Sequence, residues 1–202
     1  MLAVTGQSDV SDSHRWPLST TALLQVPLYG VMIGAALVIT ARKGNGPVAD
    51  LGLRIAWRDV PLGLAVGVVL QGVGNLLYVP LYWLTDVSSD DIDKPSRELA
   101  DKAHGAGVLL FLLVVVIAAP IVEEIFFRGF LLRALERRVG SWWAIVLSAA
   151  VFALSHFSAW EFPALFLFGL GAAVLAVRTG RLGPGIVAHL GFNAVAAFFL
   201  LR

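Results

Sequence analysis

The sequence contains no cysteine and few charges: Asp, Glu, Lys and Arg together make up 14% of its 202 residues. Without cysteine there is no thiolate nucleophile, no Cys-ligated zinc and no redox switch. A soluble domain carries about 25% charged residues and about 45–50% apolar ones. Here 58% of residues are hydrophobic, and the mean hydropathy is +0.81. These values exclude a soluble globular domain, a disordered chain and a disulfide-stapled secreted module. The net charge is +1 and no run of like charges occurs, so no nucleic-acid partner is expected. What is present in quantity is apolar sequence in long runs, which points to an all-α, polytopic transmembrane helix bundle with the lipid bilayer as its partner.

A spanning helix needs about 20 mostly apolar residues. Six runs qualify: 18–41, 60–84, 105–124 (continuing as helix to about 138), 142–158, 162–178 and 184–201. They use nearly the whole chain, so 18–202 reads as a single membrane domain, with 1–17 a polar N-terminal tail. That tail is not a signal peptide, because no basic segment leads it and no small-residue cleavage site follows the apolar run. Six spans put nine Lys/Arg residues on one side and five on the other, with Arg128 inside a span. The positive-inside rule then places both termini outside an integral protein of the plasma membrane. Gly30-x-x-x-Gly34 and Gly63-x-x-x-Gly67 offer faces for close helix packing. Gly183-Pro184-Gly185 is a turn and helix start rather than a nucleotide loop. No internal repeat is visible.

Ionisable groups at membrane depth are costly and face a bundle interior or a wet cavity. Those that interrupt the apolar runs are therefore the candidates for chemistry. Gln71 and Asn75 lie in the second span; Glu123, Glu124 and Arg128 follow the uncharged run Val108–Val122; His156, His189 and Asn193 lie further on. Glu124 and Arg128 are i, i+4, in the favourable order for an ion pair. Glu123 is turned roughly 100° away. Arg128 is thus expected to neutralise and orient Glu124, which leaves Glu123 as a general base. Pro120 cannot donate a backbone hydrogen bond, so the carbonyl of Val116 is expected to lose its helical partner and the helix to bend. Counted along antiparallel helices, Glu123 and His156 both fall roughly 21–23 Å from the hairpin between them, on one level. His189 joins that level only if the turn at 179–183 is deep. His14 and His104 lie in polar segments and are bystanders.

Glu-Glu-x-x-x-Arg at 123–128, Phe-x-x-x-His at 152–156 and His-x-x-x-Asn at 189–193 occur in that order. The trio resembles the CPBP (Abi) family, which includes the type II CAAX prenyl proteases and bacteriocin-processing or immunity proteins. The likeness covers about 105–201, and every motif position is filled. It implies an intramembrane endopeptidase acting on a membrane-embedded or lipid-modified protein or peptide. By motif position, Glu123 would activate water, His156 would assist or hold that water, and Glu124 would pair with Arg128. His189 and Asn193 would stabilise the oxyanion. The residues leave the metal question open: Glu123, His156 and His189 make a two-His-plus-carboxylate set for zinc, but the His-Glu-x-x-His signature is absent. A metal-independent glutamate mechanism, with no cofactor, is the reading favoured. A non-catalytic scaffold or immunity protein and an ion-coupled transporter are the alternatives, the latter weakened by the lack of related halves.

Overall fold

A computed structural model describes residues 16–202. The N-terminal tail is therefore described only from Trp16, and His14 and Arg15 lie outside the described residues. The long helices are α1 (Leu18–Lys43), α3 (Asp59–Leu84), the continuous run Ala106–Leu154, α8 (Phe162–Thr179) and α9 (Gly183–Leu200). All five are long and apolar enough to cross a membrane. The run of 49 residues would measure roughly 74 Å if straight, more than twice a hydrocarbon core of about 30 Å. It is not straight, because Gly140 adopts φ 77°, ψ 163°, a conformation open to glycine and poorly accessible to other residues. The rings of Phe127 and Phe152 then lie 5.3 Å apart, edge to face, although 25 positions separate them in sequence. The chain doubles back at Gly140 into two arms, α6 (106–139) and α7 (141–154). Six long helical segments result, roughly consistent with the six hydrophobic runs.

The connections at 42–58 and 85–104 contain short helices: α2 (Pro47–Leu51), α4 (Ser89–Ile92) and α5 (Lys94–Ala100). Pro47 occupies the first turn of α2, where its missing N–H costs nothing. Ser88 and Asp91 form a reciprocal capping box at α4. Those bonds from Ser88 hold the Asp91 carboxyl below the usual carboxylate range.

Packing is closest where side chains are smallest. A Cβ on Gly67 would sit 2.1 Å from the backbone oxygen of Ala188, and one on Gly63 would sit 2.6 Å from Val187. The Gly63/Gly67 face therefore seats α3 directly on α9, whereas Gly30 and Gly34 have no neighbour within 4 Å. Gly67→Ala is expected to push the helices apart at Ala188, one residue from His189. Overpacking of this kind costs about 1–3 kcal/mol, so a lower thermal-unfolding midpoint is expected.

A second tie lies one helical turn before Gly63. Asp59, fully buried, accepts from Arg181 Nε at 3.0 Å and from the Ala56 N–H at 2.7 Å. That ion pair spans 122 positions and pins the start of α3 to the turn before α9.

Candidate active site

Phe127, Phe152, Phe168, Ala172, Ala188 and Phe192 form the buried core of the bundle. Arg128 lies within it with no exposed side-chain surface. Its guanidinium carbon stands 4.3 Å from the centre of the Phe152 ring. Arg128 Nη1 donates to Glu124 Oε1 at 2.8 Å, and both side chains are fully buried. Gly185 leaves room for this carboxylate, since a Cβ there would meet Glu124 Oε2 at 2.9 Å. The i, i+4 pair expected from sequence is thus present.

Glu124 also holds the histidine of α9. His189 Nδ1 lies 3.1 Å from Glu124 Oε1. A carboxylate only accepts, so Nδ1 carries the hydrogen. His189 Nε2 is then turned to Glu123 Oε2, 3.7 Å away. Phe168 packs against the imidazole with ring centres 4.4 Å apart. The depth left open by the sequence is settled by the 179–183 turn. Gly180 O accepts from Arg133 Nη2 at 3.0 Å. Leu182 and Gly183 donate backbone bonds to Gly52 and Arg54. The turn therefore sits at the level of Arg133. The 3.7 Å approach of His189 Nε2 to Glu123 Oε2 shows that the two residues share one level.

His156 comes from the turn that ends α7. Its Nδ1 lies 2.9 Å from the carbonyl of Phe152; a carbonyl accepts, so Nδ1 bears the hydrogen, and in the neutral ring Nε2 keeps its lone pair. The next residue, Phe157, has φ 54°, a left-handed conformation unusual for a bulky side chain. Such local strain is characteristic of functional turns. It ends the helix abruptly beside His156.

Around Glu123 the helix is widened. Two stretches, Leu112–Ala118 and Glu124–Leu131, have π-helical turns, with one α-turn, Ala119–Glu123, between them. π-turns occur frequently at functional sites. They also correct the expected consequence of Pro120. Ala119 N–H bonds to Val114 O, five residues back. In that register the carbonyl facing Pro120 is that of Val115, not Val116. Asn193 Nδ2 donates to Val115 O at 2.8 Å, supplying the hydrogen bond that proline cannot. Asn193→Ala is therefore expected to leave this carbonyl unpaired and cost about 1–3 kcal/mol. Adding Pro120→Ala should restore part of the thermal stability by returning a backbone N–H.

Glu123, His156, His189 and Asn193 all line one cavity of about 310 Å³. Glu124 and Arg128 stand behind it. Residues not identified from sequence complete the wall: Tyr29 of α1, Tyr78 of α3, Asp93 and Ser96 near the mouth, and Glu161. Ser96 Oγ donates to Glu161 Oε1 at 2.7 Å, and Tyr78 Oη donates to the Trp160 carbonyl at 2.6 Å. Burial at the mouth pushes the Asp93 carboxyl up. Nothing in the span pattern marks these residues, although Glu161, an acid between two apolar helices, offered a signal.

The metal question can be put to this geometry. His156 Nε2 and the Glu123 carboxylate have the donor chemistry for zinc. Yet among the described residues no three His, Asp or Glu side chains converge closely enough to ligate an ion.

Residues 105–195 match the family model for type II CAAX prenyl endopeptidase Rce1-like proteins. The chain is also 26% identical over 158 residues to the protein named "Putative membrane peptidase YdiL" of Bacillus subtilis (strain 168). That similarity covers 78% of this chain and 61% of the relative, so the chain spans about three-fifths of that protein's length. No solved structure matches the chain. Residues 105–195, which hold every motif residue named above, are thus similar to the Rce1-like type II CAAX prenyl endopeptidases.

Proposed function

We propose that the protein is an intramembrane endopeptidase that hydrolyses a peptide bond of a membrane-embedded or lipid-modified protein or peptide. The observation that carries this reading is the presence of Glu123, His156, His189 and Asn193 on one cavity inside the helix bundle. The Glu123 carboxylate takes a proton from water, and the water oxygen attacks the peptide carbonyl carbon. The His156 Nε2 lone pair accepts the other water hydrogen and aligns the nucleophile. In its doubly protonated form His189 keeps Nδ1–H on Glu124 and turns Nε2–H to the developing oxyanion. The Nδ2 hydrogen of Asn193 not engaged by Val115 serves the same oxygen. Glu123 then returns the proton to the leaving nitrogen as the C–N bond breaks. Arg128 and Glu124 act through His189, by holding it.

The test is cleavage of a farnesylated peptide, and of the same peptide without lipid, by purified protein in detergent. Wild-type protein should cleave at least one of them, and 1,10-phenanthroline should leave the rate unchanged. Inhibition relieved by added zinc would overturn the metal-free mechanism. Ion or solute movement by reconstituted protein with no cleavage would replace the peptidase reading by transport.

A further inference from the structure

The motif-bearing half does not enclose the cavity by itself. α1 packs on α2 and on α6, whereas α3 packs on α8 and α9. The cavity lies between these two groups, with Gln25 and Tyr29 on the α1 wall and Gln71, Asn75 and Tyr78 on the α3 wall. Gln71 and Asn75 lie outside the family match and have no part in the chemistry above. Both stand in a helix long and apolar enough to cross a membrane. Polar side chains there are disfavoured unless they meet water or a partner.

Their hydrogen bonding shows what is left over. Gln71 Nε2 donates to Asn75 Oδ1 at 3.1 Å. That bond fixes the two amides relative to each other and uses one donor and one acceptor. Gln71 Oε1 is shielded from solvent and accepts no hydrogen bond. Asn75 is exposed, and its Nδ2 is not used by the bond to Gln71. A free acceptor and a free donor, one helical turn apart on one face, present what the edge of a β-strand presents. A peptide segment that enters an apolar cavity needs such groups, because each of its own N–H and C=O groups loses water.

We infer that Gln71 and Asn75 form a subsite for the main chain of the substrate, which enters laterally between α1 and α3 and lies extended along α3. Gln71 Oε1 accepts from a substrate N–H, and Asn75 Nδ2 donates to a substrate carbonyl. The occupant is an extended peptide backbone beside the scissile bond, recognised with little regard to side chains. This rests on the peptidase reading.

The experiment uses the full chain and the farnesylated peptide, together with analogues N-methylated at one backbone nitrogen at a time. Gln71→Met and Asn75→Leu should each raise KM about three- to tenfold and change kcat little, the scale of one lost hydrogen bond. One N-methyl analogue should show a similar KM increase with wild-type protein and no further increase with Gln71→Met. Thermal unfolding of both variants, followed alongside, should stay near wild type. Unchanged KM in both variants, or losses that multiply at every N-methyl position, would overturn the subsite. Cleavage that is absent in wild type would instead overturn the peptidase reading and the subsite with it.

Discussion

Glu123→Gln is expected to lower kcat for peptide cleavage by roughly 10²–10⁴-fold, the usual contribution of a positioned general base. The substitution keeps the shape of the side chain and removes only its capacity to take a proton from water. Glu123 is the partly exposed member of the acid pair, with 18% of its side chain accessible, against none for Glu124. It faces the cavity, and no buried arginine depends on it as Arg128 depends on Glu124. The fold should therefore survive, and the thermal-unfolding midpoint in detergent should stay close to wild type. A variant that keeps near-normal kcat would move the base elsewhere, and Glu161, on the same cavity, would be examined next.

The second large effect concerns stability. Arg128→Met should destabilise the bundle by about 3–5 kcal/mol, because it strands the Glu124 carboxylate in the core. It also removes the guanidinium stacked at 4.3 Å on Phe152. Replacing both partners, Glu124→Leu with Arg128→Met, removes the stranded charge and should restore much of that loss. Cleavage should not return, because His189 Nδ1 would have lost the acceptor 3.1 Å away that fixes its ring. Thermal unfolding and cleavage measured on the same three proteins separate the two roles. A double variant as unstable as Arg128→Met would show that packing, rather than charge, dominates. A double variant that regains activity would show that His189 needs no anchor.

Much of this arrangement is legible in the sequence because a bilayer restricts the choices. Length and apolarity locate the spans, and the gap between 138 and 142 locates a hairpin. Equal rise along antiparallel helices then aligns Glu123 with His156. The i, i+4 spacing of Glu124 and Arg128 foretells their ion pair. Other features depend on distant parts of the chain. The level of His189 follows from how Gly180, Leu182 and Gly183 dock on Arg133 and residues 52–54, which no local pattern reveals. The Asp59–Arg181 pair is equally remote. The π-turns around Glu123 move the orphaned carbonyl from Val116 to Val115, since a helix with Pro120 inside it can widen as well as bend. The wall supplied by α1 is invisible because Tyr29 sits in an apolar run whose facing is set by neighbours, whereas Gln71 and Asn75 of α3 stand out as polar residues within a span. The short helices α2 and α4 leave signals in the connections between spans, in Pro47 and in Ser88 with Asp91.

Convergence of Glu123 and His156 on one water molecule is most directly tested by a kinetic double-mutant cycle. Groups that act as a unit in one step give strongly non-additive losses. Wild type, Glu123→Gln, His156→Ala and the double variant are compared by kcat/KM on one cleaved peptide. With a shared centre, the double variant should be no worse than the poorer single variant. If the two losses instead multiply, Glu123 and His156 work at separate places, and the single-site mechanism is wrong.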